Sequence, residues 1–211
     1  MPDDPLPTSV ATPMVRRLTL YLRELEALAL QREATVSSRV LGAALSLTDA
    51  QVRKDLAAFG QFGQPGVGYR VDDLIHRLRG ILGTDRQWNV LLAGAGNIGR
   101  ALLTYKPFET KGFRIVAVVD SDAGKIGKSL GGVEIHDPAR INPLVETHDI
   151  TLGILAVPAT AAQRTADALA NAGVRGLLNF APTTLQTPDD VFVNSVDLVG
   201  QMEQLAFRVK G

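Results

Sequence analysis

Two hydrophobic rhythms divide this chain. Between Val15 and Leu82 apolar positions return every three or four residues, the period of helices with one buried face. Beyond Val90, short unbroken apolar runs take turns with helical periods, as in strands that helices cover on both faces. In the first part Val15, Leu18, Leu22, Leu25 and Leu28 predict one helix. Ser37-Ser38 can cap a second, running through Val40, Leu41, Ala44 and Leu45. Leu45-Ser46-Leu47 is a short turn. Thr48 can cap a third helix, Asp49 to Phe59, with Gln51 completing a capping box. Leu74, Ile75, Leu78, Ile81 and Leu82 predict a fourth, and Gly83–Gln87 a domain boundary.

In the second part strands are expected at Val90–Gly94, Phe113–Asp120, Gly132–Ile135, Ile150–Val157, Gly176–Phe180 and Val191–Val196. Helices are expected at Asn97–Tyr105, Pro138–Thr147, Ala159–Ala172 and Asp197–Val209. That alternation predicts an α/β domain with a parallel, doubly wound sheet. The terminal helix carries an apolar stripe, Leu198, Val199, Met202, Leu205, Ala206 and Val209. It can lie on its own sheet or against a second subunit, and the latter is expected because symmetric dimers dominate soluble oligomers.

Composition changes this picture in a few places. Across 211 residues a 45% hydrophobic content suits one large or two small domains. The chain has no cysteine, which removes disulfides, thiol switching and cysteine-held zinc; any redox sensing must then run through a bound cofactor. Net charge is formally zero, so bulk electrostatics names no partner, although Met14–Gly80 holds ten Lys/Arg against seven Asp/Glu. Residues 1–13 contain four prolines and predict a disordered leader. Neither a signal peptide nor a membrane-length apolar run is evident, so a cytoplasmic location with no membrane partner is expected. No metal is expected.

The sharpest chemistry lies at Leu91-Leu92-Ala93-Gly94-Ala95-Gly96-Asn97-Ile98-Gly99-Arg100. A strand runs into a glycine turn and a helix, with Gly94, Gly96 and Gly99 in G-x-G-x-x-G spacing. Such a turn lets backbone approach a pyrophosphate, and the helix N-terminus presents free N–H groups to it. About twenty residues on, Asp120 ends a second apolar run, where a carboxylate accepts the adenosine-ribose hydroxyls and repels a 2′-phosphate. NADH and NAD+ are therefore the expected cofactors.

The second and third predicted helices suggest a helix-turn-helix, with Gln51, Arg53 and Lys54 facing outward while Val52, Leu56 and Phe59 pack. An ordinary three-helix bundle with a solvated charged face is the alternative. Gly60–Val71 holds four glycines and one proline, which marks a tight turn between short strands, as in the wing of a winged helix; Arg70 can supply charge there. These readings divide the chain into a leader (1–13), a winged-helix DNA-binding domain (14–83), a Rossmann NAD(H)-binding domain (84–196) and a terminal helix (197–211).

These motifs together resemble the Rex family of bacterial redox-sensing transcriptional repressors. The likeness is carried by the run Gln51 to Tyr69, the glycine turn with Leu102-Leu-Thr-Tyr105, Val157-Pro158, Leu178-Asn-Phe-Ala-Pro182 and Asn194-Ser-Val-Asp-Leu198. It runs in order from about Val10 to the end of the chain. The resemblance implies a homodimer that exchanges its C-terminal helices, binds an inverted-repeat operator in double-stranded DNA when NADH is scarce, and lets go when NADH binds. It further implies a switch network of Arg16, Tyr105 and Asp197. The implied cofactor contacts are Gly94, Ala95, Gly96, Asn97, Ile98, Gly99, Asp120, Tyr105, Val157, Pro158, Asn179 and Phe180. The chain departs from the family pattern at Val119 and Leu198, where aromatic residues are common, and at Arg39, where an acid is common.

Two other functions share the fold: an NAD-dependent dehydrogenase and a CoA- or nucleotide-binding module. A dehydrogenase needs a proton donor or acceptor beside the nicotinamide. His76, His136 and His148 are the only histidines. They fall away from the Val157-Pro158 and Phe180-Ala181 strand ends expected to meet the ring, and no separate substrate domain is present. A sensor rather than an enzyme is the expectation.

Overall fold

The computed structural model describes residues 12–63 and 66–210. The expected leader lies, through residue 11, outside the described residues. The chain divides into two compact units between Arg86 and Gln87.

The first unit opens with helix α1 (Thr12–Leu30), which starts two residues inside the expected leader. Strand β1 (Thr35–Val36), α2 (Ser38–Ala44), α3 (Asp49–Ala57), β2 (Tyr69–Arg70) and α4 (Val71–Leu82) follow. Leu18, Tyr21, Leu22 and Leu25 of α1 meet Leu41, Val52, Leu56, Leu74 and Leu78 in one apolar core. The Ser37 hydroxyl accepts the Val40 N–H at 3.2 Å, and the Thr48 hydroxyl accepts the Gln51 N–H at 3.1 Å, so both expected caps form. Gly42 makes the tight turn between α2 and α3 possible, because a Cβ there would sit 2.8 Å from the Leu47 carbonyl oxygen. Two expectations need correction. The Gln51 amide does not return to the cap; it donates forward to Asp55. The glycine-rich stretch does not separate two neighbouring strands, since β2 pairs antiparallel with β1, more than thirty residues upstream.

The second unit is a seven-stranded sheet. Its strands are β3 (Trp88–Ala93), β4 (Phe113–Val119), β5 (Ser129–Leu130), β6 (Val133–His136), β7 (Leu152–Leu155), β8 (Gly176–Asn179) and β9 (Phe192–Ser195), in the order β5-β6-β4-β3-β7-β8-β9. All neighbours are parallel except β5 and β6, an edge hairpin turned by Gly131 and Gly132, both at positive φ. The expected single strand there is half of that hairpin.

Helices α5 (Asn97–Leu103) and α6 (Pro107–Thr110) supply Leu102, Leu103 and Phe108 to one face of the sheet, against Val90, Leu92 and Val118. Helices α7 (Ile141–His148) and α8 (Ala159–Asn171) pack on the other, against Leu91, Ala93, Val119 and Leu155. Adjacent residues of β3 thus serve opposite cores, as strand geometry requires. The first crossover from β3 leads to β4 and the later one to β7, so the strand order reverses beside β3. Ligands bind at such a point in doubly wound sheets.

Helix α5 ends before Tyr105, two residues short of the expected boundary. The Thr104 hydroxyl donates back to the Arg100 and Ala101 carbonyls, and Pro107 has no N–H with which to continue the helix. The terminal helix α9 (Leu198–Lys210) has no buried residue.

Candidate functional site

In the first unit α3 is positioned by a buried carboxylate that periodicity does not reveal. Asp55 is fully buried. It accepts hydrogen bonds from Arg17 Nε at 2.5 Å and the terminal Arg17 nitrogen at 2.8 Å, from the Tyr21 hydroxyl at 2.7 Å, and from the Gln51 amide at 2.7 Å. Burial pushes this carboxyl up, and the donors from Arg17, Tyr21 and Gln51 more than compensate, so it lies below the usual carboxylate range. The cluster ties α3 to α1, and it holds Gln51 half-buried on that tie.

Arg53 and Lys54 are exposed on α3. The Arg53 guanidinium donates to Asp49 at 2.6 Å and to Ser38 at 3.2 Å, which holds it along the surface of α2 and α3. Arg70 is exposed on β2 and pairs with Asp73 at 3.2 Å. Arg16 is exposed on α1.

In the second unit a cleft of about 840 Å³ opens at the carboxyl ends of β3, β4 and β7. The three glycines of the turn have three different reasons to be glycine. Gly94 sits at φ +101°, and a Cβ there would lie 2.3 Å from the Ala156 carbonyl oxygen. At Gly99 a Cβ would lie 2.0 Å from the Gly94 carbonyl oxygen, so this residue lets α5 seat on the turn. Gly96 has nothing within 4 Å of a built Cβ. Its missing side chain leaves space in the cleft, at the N-terminus of α5, where an anion is favoured.

Asp120 follows β4 and lines the cleft. Its Oδ2 accepts the Ala95 N–H at 2.7 Å and Lys125 Nζ at 3.0 Å, and its Oδ1 accepts the Asp122 N–H at 2.9 Å. Burial pushes the Asp120 carboxyl up, but the Asp122 and Ala95 amides and the Lys125 ammonium together hold it below the usual carboxylate range.

Of the twelve expected cofactor contacts, Gly94, Gly96, Asn97, Ile98, Asp120, Val157, Pro158 and Phe180 line this cleft. Ala95 instead orients Asp120, and Gly99 packs beneath the turn. Asn179 is fully buried. Its side chain accepts the Ala181 N–H at 2.9 Å and donates to the Ala181 and Thr183 carbonyls at 3.2 and 3.0 Å, so it shapes the loop that carries Phe180. Tyr105 is half-exposed, with its ring edge-on to Phe108 at 5.4 Å. It lines a second cavity of about 610 Å³ together with His136 and His148. Asp197 caps α9 by accepting the Gly200 N–H at 2.8 Å.

The chain matches family models described as a CoA binding domain over residues 85–183 and as a putative DNA-binding protein N-terminus over residues 9–57. The redox-sensing transcriptional repressor Rex of Pelotomaculum thermopropionicum is 46% identical over 195 residues, which span 92% of each chain. That of Carboxydothermus hydrogenoformans is 45% identical over 93% of this chain and 94% of its own. This chain belongs to the Rex family. Rex architecture extends to the solved structures. RSP in complex with beta-NAD+ and operator DNA matches with a TM-score of 0.92 at 37% identity, covering 96% of this chain and 94% of its own. RSP, a Rex-family repressor, in complex with beta-NADH matches with a TM-score of 0.87 at 35% identity, covering 96% and 95%. The winged helix-turn-helix and Rossmann-like units are therefore those of Rex.

Sequence reasoning missed several side chains of this Rex cleft: Ser121, Asp122, Lys125, Pro138, Ile141, Arg164 and Thr165. Most lie on loops and at the starts of helical turns, Arg164 and Thr165 in the middle of α8, and none carries a motif spacing. Lys125 carried the clearest signal, because a lysine five residues beyond Asp120, in a glycine-rich turn, can fold back onto that carboxylate.

Proposed function

We propose that this chain is a redox-sensing repressor that binds operator DNA as a homodimer and leaves it when NADH fills the cleft of the second unit. The observation that carries this reading is the pairing, in one chain, of a winged helix with a glycine-turn cleft that has an acid at one end and an apolar wall at the other. Asp120 suits the adenosine ribose; Val157, Phe180 and Pro182 form the apolar part. A neutral dihydronicotinamide enters such surroundings at less desolvation cost than a cationic nicotinamide. That difference is what lets a binding site distinguish NADH from NAD+. Turning a population from 1:99 to 99:1 takes about 5.5 kcal/mol of differential binding, which two sites per dimer can share.

Homodimerisation is supported by two apolar surfaces in the second unit. The stripe of α9 is open, with Met202 65% exposed and Val209 86%. On the sheet, Leu152, Ile154, Leu178 and Phe192 of β7, β8 and β9 face the same side as α5 and line an open apolar hollow of about 320 Å³. Exchange of α9 between two copies would cover both.

Arg16, Tyr105 and Asp197 are the proposed switch. In the operator-bound state Asp197 of the terminal helix holds Arg16, a geometry that an Arg–carboxylate fork makes exacting. With NADH bound, Asp197 turns to the Tyr105 hydroxyl and the winged helices are released. A dehydrogenase is the less favoured function: the relatives are repressors, and His136 and His148 line the second cavity rather than the cleft.

The test is operator binding by fluorescence anisotropy across NADH/NAD+ ratios. Release as NADH rises is the expected result. Operator affinity indifferent to the ratio would sink the proposal.

A further inference from the structure

Among the described residues, Lys125 is the cation in contact with Asp120. Its ammonium lies 3.0 Å from Asp120 Oδ2 and 3.6 Å from Asp122 Oδ2, and it lines the cleft. The turn after β4 holds it there. The Asp122 carbonyl accepts the Lys125 N–H at 2.9 Å, and Asp122 Oδ1 accepts the Gly124 N–H at 2.9 Å. The Asp120 side chain is only 10% exposed and that of Lys125 only 29%, so water screens the pair weakly.

Two consequences follow for a ribose brought to Asp120. A carboxylate offers about four lone-pair sites. Ala95, Lys125 and Asp122 occupy three, so one ribose hydroxyl can be accepted at Oδ1 while the other must displace the lysine from Oδ2. Charge is the second consequence. An acid alone repels a 2′-phosphate, but an ammonium in contact with it offsets that repulsion and is itself a point-charge donor to phosphate.

We propose that Lys125 is a specificity-determining residue that weakens the discrimination of the cleft between NADH and NADPH. It competes with the ribose hydroxyls for Asp120 and offers a 2′-phosphate a counter-charge. The proposal rests on the reading of the cleft as a dinucleotide site.

The test measures Kd for NADH and NADPH by calorimetry on the full-length wild type, Lys125→Met and Lys125→Gln. Methionine keeps most of the side-chain volume and removes the charge; glutamine keeps a donor without the charge. In both variants NADH affinity should hold or rise, and the Kd ratio of NADPH to NADH should widen about tenfold, the effect of about 1.4 kcal/mol. A ratio within twofold of wild type in both variants overturns the proposal. So does loss of both dinucleotides in both variants, which would make Lys125 a structural support. A wild type that binds neither dinucleotide overturns the reading of the cleft itself, a failure distinct from an unmoved ratio.

Discussion

Gly94, Gly96 and Gly99 share a motif but not a physical role, and substitution separates them. Gly99→Ala drives a methyl into the Gly94 carbonyl oxygen, where backbone and not a flexible side chain must yield. Its cost should reach the upper part of the range for overpacking, about 3 kcal/mol, read from urea unfolding. Gly96→Ala meets nothing within 4 Å at an ordinary φ of −80°. Its stability should stay within ~0.5 kcal/mol of wild type. Its methyl would fill the space proposed for a pyrophosphate, so NADH affinity should fall roughly tenfold or more by calorimetry. Equal stability losses in the two variants would contradict this division. Asp120→Ala should weaken NADH and narrow its advantage over NADPH, because in the proposed site the carboxylate accepts the ribose and repels a 2′-phosphate. An unchanged NADH affinity would remove Asp120 from the site.

Helix α3 depends on α1 through Asp55. Removing the Asp55 carboxylate strands the buried Tyr21 hydroxyl and leaves Arg17, 24% exposed, without its acid, at a cost of about 1–3 kcal/mol. Asp55→Ala should therefore unfold the first unit at markedly lower urea than wild type. The pH dependence has a definite sign. The folded pKa of Asp55 is lowered, so its stabilisation is full above the ordinary carboxylate range and is lost as pH falls through the folded value. Asp55→Asn should lose part of that acid-sensitive stability. An unchanged acid limb of the stability curve would show that the pair contributes nothing. On the outer face of the same helix, Arg53 and Lys54 are proposed to meet the operator. Loss of a phosphate contact should reduce the salt slope of binding by about one, and loss of a base contact should cost roughly 1–3 kcal/mol and relax specificity. Arg53→Ala and Lys54→Ala proteins that bind operator like wild type would exclude both. Gln51 is engaged by Asp55, so its contribution is first to aim the helix.

In the proposed homodimer α9 acquires a purpose. Among the described residues nothing covers its apolar stripe or the open apolar hollow along β7, β8 and β9. A chain ending at Val196 should sediment as a monomer at concentrations where the full chain is a dimer, and it should bind the operator far more weakly. A truncated chain that still dimerises would place the interface elsewhere. Asp197 needs a gentler substitution than alanine, because it caps α9 and loss of a cap costs about 1 kcal/mol by itself. Asp197→Asn keeps an acceptor for the Gly200 N–H while removing the charge that would hold Arg16. The variant should still bind NADH, yet bind operator poorly or respond weakly to NADH. Wild-type operator affinity with full NADH release would locate the switch in other residues.

What the amino-acid order determined unaided was everything written in local periodicity. The helical stripes, the Ser37 and Thr48 caps, the doubly wound alternation, the glycine turn and the acid after the second apolar run all depend on residues close in sequence, or on spacings that the fold imposes. What required the folded chain was every contact whose partners lie far apart in sequence, and every side-chain direction that burial or a loop's backbone decides. Asp55 gathers Arg17 and Tyr21, 38 and 34 residues away, and nothing in the spacing announces it. The pairing of β2 with β1 rather than with a neighbour was hidden for the same reason. Asn179 has the composition of a ligand contact, but burial turns it inward to brace a loop. Lys125 reaches Asp120 because a turn brings it back, and a turn fixes direction through backbone conformation, which residue types constrain only loosely.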